Sequence, residues 1–250
     1  MEVHHHPDLH HEKKKFREYF LECIMIFIAV TLGFFAETVR DSISEKHREK
    51  DYIVGLISNL RDDTSNLKGL IARNDLELRG IDTLMKISKE HFTSVPVQDS
   101  IFYYALQYTF TLHTFQFNDL TLVQLRNAGG YSLIKTSNVA DSIALYESKN
   151  NNIKIEEAYY SESFLQIMAS FKQMFDLTLT DKFFHLDSLT KKIPSDMYVL
   201  VSKDEEKMNQ LYNNYWMFTR IVGYYNSMLK EHLEYLNNFI LFLKRDYDLE

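Results

Sequence analysis

The sequence predicts an all-α protein, in which one N-terminal transmembrane helix continues into a long helical stalk that carries an extramembrane antiparallel helical bundle. Three observations lead to this prediction. The chain of 250 residues contains only seven Gly and three Pro, far fewer turn-forming residues than a β-rich protein needs. Residues 20–36 form one apolar run, and the apolar residues that follow it recur with helical spacing.

The apolar run FLECIMIFIAVTLGFFA is predicted to be a membrane anchor. As a helix it is about 26 Å long, close to the thickness of a hydrocarbon core. Basic residues within 13–17 precede it and Glu37 follows it. Bulky Phe34 and Phe35 stand where a signal peptide would have small residues for cleavage. We therefore expect the anchor to stay attached to the rest of the chain.

Four segments are predicted along the chain. They are a basic, His-rich tail (1–18), the transmembrane helix (19–38), a long stalk helix (39–95) and a helical bundle that packs on the stalk (96–250). The formal net charge of −7 leaves no basic face to bind nucleic acid. The expected partners are the lipid bilayer and either a second copy of the chain or another membrane protein.

The orientation in the membrane is predicted from the flanks of the anchor. Lys and Arg are balanced, with four on each side within about 15 residues. A short tail whose cations lie against the apolar run is hard to translocate, whereas a long following domain crosses largely regardless of its charge. We expect a single-pass protein of the bacterial inner membrane, with a cytoplasmic N-terminus and a periplasmic bulk.

Two heptad seams are predicted to carry the packing. In the stalk helix the apolar residues recur at spacings of three, four or seven, and the last helix keeps a 3,4 spacing over about five heptads. We expect these two helices to pair as an antiparallel stalk and the seams to support self-association. The seam residues are Ile53, Ile57, Leu60, Leu67, Ile71, Leu211, Tyr215, Phe218, Val222, Tyr225 and Leu229.

The middle of the chain is predicted to form shorter helices. Residues 100–118 carry no charge, and their Gln, His and Thr residues favour a buried soluble helix over a second membrane span. Asn118 is a candidate N-cap for a short helix that stops at Gly129 and Gly130.

Two further helices and a capping box are predicted beyond that point. A helix capped by Ser137 or Asn138 is expected to be broken or loosened at Asn150–Asn152, and a second helix is expected from about 156 to 179. Ser202 and Glu205 have the spacing of a capping box, which predicts the start of the last helix.

Candidate functional residues are few. The tail carries five histidines that are candidates for Zn²⁺, Cu²⁺ or Ni²⁺ binding, although their spacing fixes no geometry: His4, His5, His6, His10 and His11. Glu22 lies one turn inside the anchor, where an ionisable group is a candidate for orientation, assembly or proton transfer. The sequence contains no HExxH, GxSxG or phosphate-loop motif, so we expect no enzymatic activity and no cofactor.

Three stretches resemble a set of uncharacterised single-pass membrane proteins of Bacteroidota. They are the anchor FLECIMIFIAVTLGFFAE, the charged helix EKHREKDYIVGLISNLRDDTSNL and the segment TLVQLRNAGGYSLIKTSNVADSIALYE. The resemblance covers about half of the chain and implies an anchor followed by a helical extramembrane region. It implies no activity and no functional residues, except that the family's Glu where the chain enters the membrane matches Glu22.

The function expected from the sequence is that of a membrane-anchored, non-enzymatic helical scaffold, sensor or assembly protein. An alternative of a different class is an accessory single-anchor subunit of an ion-driven or transport complex in which Glu22 takes part. A third possibility is metal handling by the His-rich tail.

Overall fold

The computed structural model describes residues 16–182 and 199–249. Within these residues the only β-type pairing is one isolated antiparallel bridge between Phe175 and Leu200. The predicted all-α class is therefore confirmed for the described chain. The α-helices are α1 (Phe16–Met85), α2 (Val95–Thr109), α3 (Leu120–Asn127), α4 (Ser137–Met174) and α5 (Glu205–Asp246), and two 3₁₀ turns span Gly130–Leu133 and Leu177–Lys182.

The chain divides into two compact units, residues 1–51 and 52–250. The described part of the first unit belongs to α1 and contains the apolar run. This helix is the one element of the described chain that is long and apolar enough to cross a membrane, and none of its apolar window is buried by protein. Phe27, for example, leaves 71% of its surface exposed. Such exposure distinguishes the run from the buried core helix of a soluble protein.

The second unit buries the residues of both predicted seams. All eleven lie in one hydrophobic core together with side chains from α2, α3 and α4. The seams therefore pack against other parts of the same chain. Because their side chains are already covered, an interface between copies that used them would require the unit to open.

Contacts between aromatic rings give the relative direction of α4 and α5. Tyr146 stacks on His232 with 5.9 Å between ring centroids, and Tyr160 stacks on Tyr225 at 5.3 Å. As the residue number rises on α4 it falls on α5, so these two helices run in opposite directions. The helix that packs most extensively on α5 is α4. The stalk helix is predicted in that place because it is the one predicted element whose length matches that of the last helix.

Helix α4 continues through the polar patch that was expected to break it. It runs from Ser137 to Met174 without interruption, and Asn150 is buried. An Asn costs a helix interior less than 1 kcal/mol relative to Ala. Burial of Ile153 and Tyr160 on the following turns outweighs that cost.

Helix α2 is shorter than predicted. It ends at Thr109, and residues 110–119 are not helical, although 100–118 was expected to be one helix. The Thr109 hydroxyl donates to the Ala105 carbonyl at 2.6 Å and lies 3.2 Å from the Tyr215 hydroxyl. The uncharged composition favoured a buried helix, but only Phe115 of the non-helical residues 110–119 is buried.

Two helix starts lie one or two residues later than predicted. Asp204, not Ser202, caps α5, because its Oδ1 accepts from the Glu206 backbone N–H at 2.9 Å. Asp119 precedes α3 where Asn118 was expected. The predicted stop after α3 is confirmed by Gly129, whose φ of +120° favours glycine.

Candidate functional site

The second unit contains a layer of buried polar side chains on one face of α1. Asp63 and Asn74 have no exposed surface, and Glu77 retains only 5%. Removing a carboxyl group from water is costly unless hydrogen bonds replace its hydration. Each of these acids therefore needs partners inside the unit.

Two tyrosines of α4 supply such partners. The Tyr146 hydroxyl donates to Asp63 Oδ2 at 2.7 Å, and the Tyr160 hydroxyl donates to Glu77 Oε2 at 3.1 Å. The two residues of each pair are separated by the same 83 positions along the chain. An equal separation at both points means that α1 and α4 run in the same direction here.

The acid–tyrosine pairs belong to two columns with a seven-residue repeat. Each column consists of residues seven positions apart on one helix. On α1 acids alternate with leucines along the column, and on α4 tyrosines alternate with aliphatic residues. All members are buried: Leu56, Asp63, Leu70, Glu77 and Leu84 on α1, and Val139, Tyr146, Ile153, Tyr160 and Ile167 on α4. Because an acid placed opposite an aliphatic residue would lack a partner, this alternation fixes one register for the two helices.

The same polar layer holds the non-helical segment 110–119. Buried backbone N–H groups of such a segment require acceptors from elsewhere. Asp63 Oδ1 accepts from the Asn118 N–H at 2.9 Å, and Glu157 Oε1 accepts from the Phe115 N–H at 2.6 Å. Glu157 Oε1 also accepts from the Tyr225 hydroxyl at 2.6 Å. These carboxylates thus connect three helices to the segment.

Burial shifts the protonation equilibria of the layer. It raises the pKa of Glu77 to about 8, against a smaller lowering by the Tyr160 hydrogen bond. Burial also raises the pKa of Asp63, but the Asn118 N–H and the Tyr146 hydroxyl oppose the shift. At neutral pH Glu77 therefore carries a proton, and a neutral carboxylic acid can donate a hydrogen bond as well as accept one.

His232 lies in an aromatic cluster next to this layer. Its ring stacks on Tyr146 and packs edge-on against Phe115 and Phe117. Burial, aided by the charge of Lys149, lowers the pKa of His232 to about 4, so the ring is neutral. His232 is thus buried within the aromatic core of the second unit. The described residues contain no group of three His, Cys, Asp or Glu that could hold a metal ion.

The structure does not bring the sequence-predicted site residues together. The five tail histidines lie outside the described residues. Glu22 is half-buried within α1, in the first unit. The seam residues are core residues of the second unit.

The residues that sequence reasoning missed are the acids and tyrosines of the layer. A signal for them was present, since Asp63 and Glu77 are two heptads apart and so are Tyr146 and Tyr160. These positions flank the apolar seam of α1, where charged residues are usually solvated. Only the opposing tyrosines of a distant helix show that they are buried.

Comparisons with known proteins found no matching family model, no matching curated protein and no matching solved structure. We therefore describe the class of protein from its fold and its polar layer. It is an all-helical protein that has one apolar N-terminal helix able to span a membrane and a helical unit with a buried acid–tyrosine layer.

Proposed function

We propose that the protein is a membrane-anchored, non-enzymatic helical protein that serves as a scaffold, sensor or assembly factor. The observation that carries this proposal is that no part of the apolar window in α1 is buried by protein. Soluble monomeric proteins rarely expose contiguous apolar patches larger than a few hundred Å². A lipid bilayer covers such a helix and also tolerates its backbone, because a helix satisfies its own hydrogen bonds.

The proposed orientation places the basic tail in the cytoplasm and residues 52–250 in the periplasm. Cations beside the anchor favour the cytoplasmic side through the positive-inside rule and through attraction to anionic lipid headgroups. In this arrangement the helical unit is the part that meets periplasmic partners.

The non-enzymatic assignment draws support from what the buried Asp63 and the half-buried Glu157 do. Asp63 and Glu157 are engaged with backbone N–H groups and tyrosine hydroxyls, so their oxygens serve the fold. The antiparallel association of α5 with α1 is part of the proposal. Lys230 bonds to Asp75, whereas Tyr212, earlier on α5, bonds to the Ile87 carbonyl just beyond α1, and this order supports it. Because the seams are covered, we assign partner recognition to exposed side chains such as Trp216 and Tyr224 of α5.

The test of anchoring is a fractionation experiment in a bacterial host. The full chain is expected to remain in the membrane pellet after alkaline carbonate extraction, because only disruption of the bilayer releases a transmembrane helix. A variant lacking residues 16–38 is expected in the supernatant, and a control lacking residues 1–11 is expected to stay in the pellet.

Recovery of the full chain in the supernatant without lipid would contradict the anchor. Protease treatment of intact spheroplasts tests the orientation in the same cells. Digestion of residues 52–250 from outside is expected, whereas full protection of this unit would place it in the cytoplasm.

A further inference from the structure

A cleft of about 190 Å³ opens in the second unit between α1 and the end of α2. Arg73 and Glu77 of α1 line one side of it, and Gln107, Thr111 and His113 line the other. Tyr108 completes the wall, with its ring against the backbone of α1. At Gly80 an added Cβ would lie only 2.0 Å from Tyr108 Cγ, so the absence of a side chain there allows this position.

Two polar groups of this cleft, Glu77 and Arg73, keep free bonding capacity among the described residues. Glu77 Oε2 accepts from Tyr160, but the buried Oε1 has no hydrogen-bond partner among the described residues. Arg73 forms no ion pair within the part of the chain that the structure describes. A buried carboxyl oxygen without a partner is a cost that a bound polar group would remove.

We propose that this cleft binds a small organic molecule through a single carboxylate group, which lies between Arg73 and Glu77. One oxygen of the ligand pairs with the Arg73 guanidinium, and the other accepts a hydrogen bond from the protonated Glu77 carboxyl group, whose Oε1 turns out of its buried position to meet the ligand. The planar guanidinium of arginine presents N–H donors in pairs, which is an arrangement that suits carboxylates in proteins. A single unpaired cation matches a monoanion better than a phosphate dianion, and Leu76 and Tyr108 can cover the carbon atoms of the ligand.

The site predicts a particular dependence on pH. Below a pH of about 8 Glu77 keeps its proton and donates, whereas above it the ionised group repels the ligand carboxylate. The other titratable groups that face Glu77 are Arg73, Tyr108, His113 and Tyr160. Burial and the charge of Arg73 lower the pKa of His113, so its ring stays neutral in this range. Burial raises the pKa of Tyr160, and Arg73 remains charged throughout.

The test uses benzoate as the probe and the full chain in lipid nanodiscs, with binding followed by saturation-transfer NMR between pH 6.5 and 9.5. Benzoate is expected to bind saturably at pH 7, and its affinity is expected to fall about tenfold per pH unit above pH 8. Arg73→Gln is expected to weaken binding at least about tenfold. Glu77→Gln keeps a hydrogen-bond donor, so it is expected to bind at pH 7 and to lose the pH dependence.

Arg79→Gln is the matched control, because Arg79 is an exposed arginine of the same helix outside the cleft. Equal binding to the Arg73 and Arg79 variants, tighter binding of butylammonium or inorganic phosphate than of benzoate, or no saturable binding would each overturn the proposal. Carboxylate binding in this cleft does not depend on membrane anchoring. Failure of anchoring appears in fractionation, whereas failure of this site appears only in binding.

Discussion

Replacing Asp63 with Ala is expected to lower the free energy of unfolding by about 3–5 kcal/mol, enough to unfold much of a marginally stable domain. The side chain is fully buried and accepts from both the Tyr146 hydroxyl and the Asn118 N–H. Its removal leaves these two donors without an acceptor in a site closed to water. Urea titration of the full chain in detergent micelles, followed by circular dichroism, measures the change.

The neighbouring Asp62 supplies a matched control for this prediction. It is exposed, and its Oδ2 accepts a hydrogen bond from the Asn118 side-chain amide at 3.2 Å. Asp62→Ala is therefore expected to cost less than about 1 kcal/mol. Similar losses for the two variants would show that Asp63 does not organise the layer.

The Glu77→Gln variant is expected to become more stable than the original protein as the pH rises towards 8. Burial raises the folded-state pKa of Glu77 from 4.5 to about 8. Between these values the unfolded chain releases the proton that the folded chain keeps, so the contribution of Glu77 to stability falls with rising pH. The loss is on the order of 4 kcal/mol across the whole interval. Gln cannot ionise, so the Glu77→Gln variant does not lose this stability as the pH rises.

Urea titrations of both proteins at pH 5 and pH 8 test the sign of this effect. His232 acts in the opposite sense at lower pH, because its depressed pKa makes stability rise between about pH 4 and 6.5. Since His232 is present in both proteins, the difference between them isolates Glu77. Glu234→Gln, an exposed change on α5, is expected to leave the pH dependence unaltered. An unchanged slope in Glu77→Gln would show that Glu77 is already ionised.

The sequence was sufficient for those features that local periodicity determines. The 3,4 spacing of α5 identified side chains such as Leu211, Val222 and Leu229 as one buried stripe, and all three are buried. The low Gly and Pro content indicated the helical class, and the length and composition of the apolar run indicated a helix able to span a membrane. Each of these properties is encoded within a few turns of one helix.

The features that the sequence did not predict correctly depend on contacts between distant parts of the chain. Asn150 appeared to be a helix breaker because the sequence does not show the surroundings that bury it. The end of α2 depends on acceptors in α1 and α4 that hold residues 110–119. The buried state of Glu77 likewise depends on Tyr160, which lies 83 positions away. Propensity and spacing carry no information about such partners.

The most direct test of the membrane-anchored account uses Cys23, the single cysteine of the chain, which is exposed within the apolar run. A nitroxide attached to this thiol in reconstituted bilayers reports the collision rates of its surroundings with oxygen and with a water-soluble nickel chelate. We expect frequent collisions with oxygen and few with the chelate, because the label lies in hydrocarbon. Frequent collisions with the chelate would place residue 23 in water and contradict the anchor.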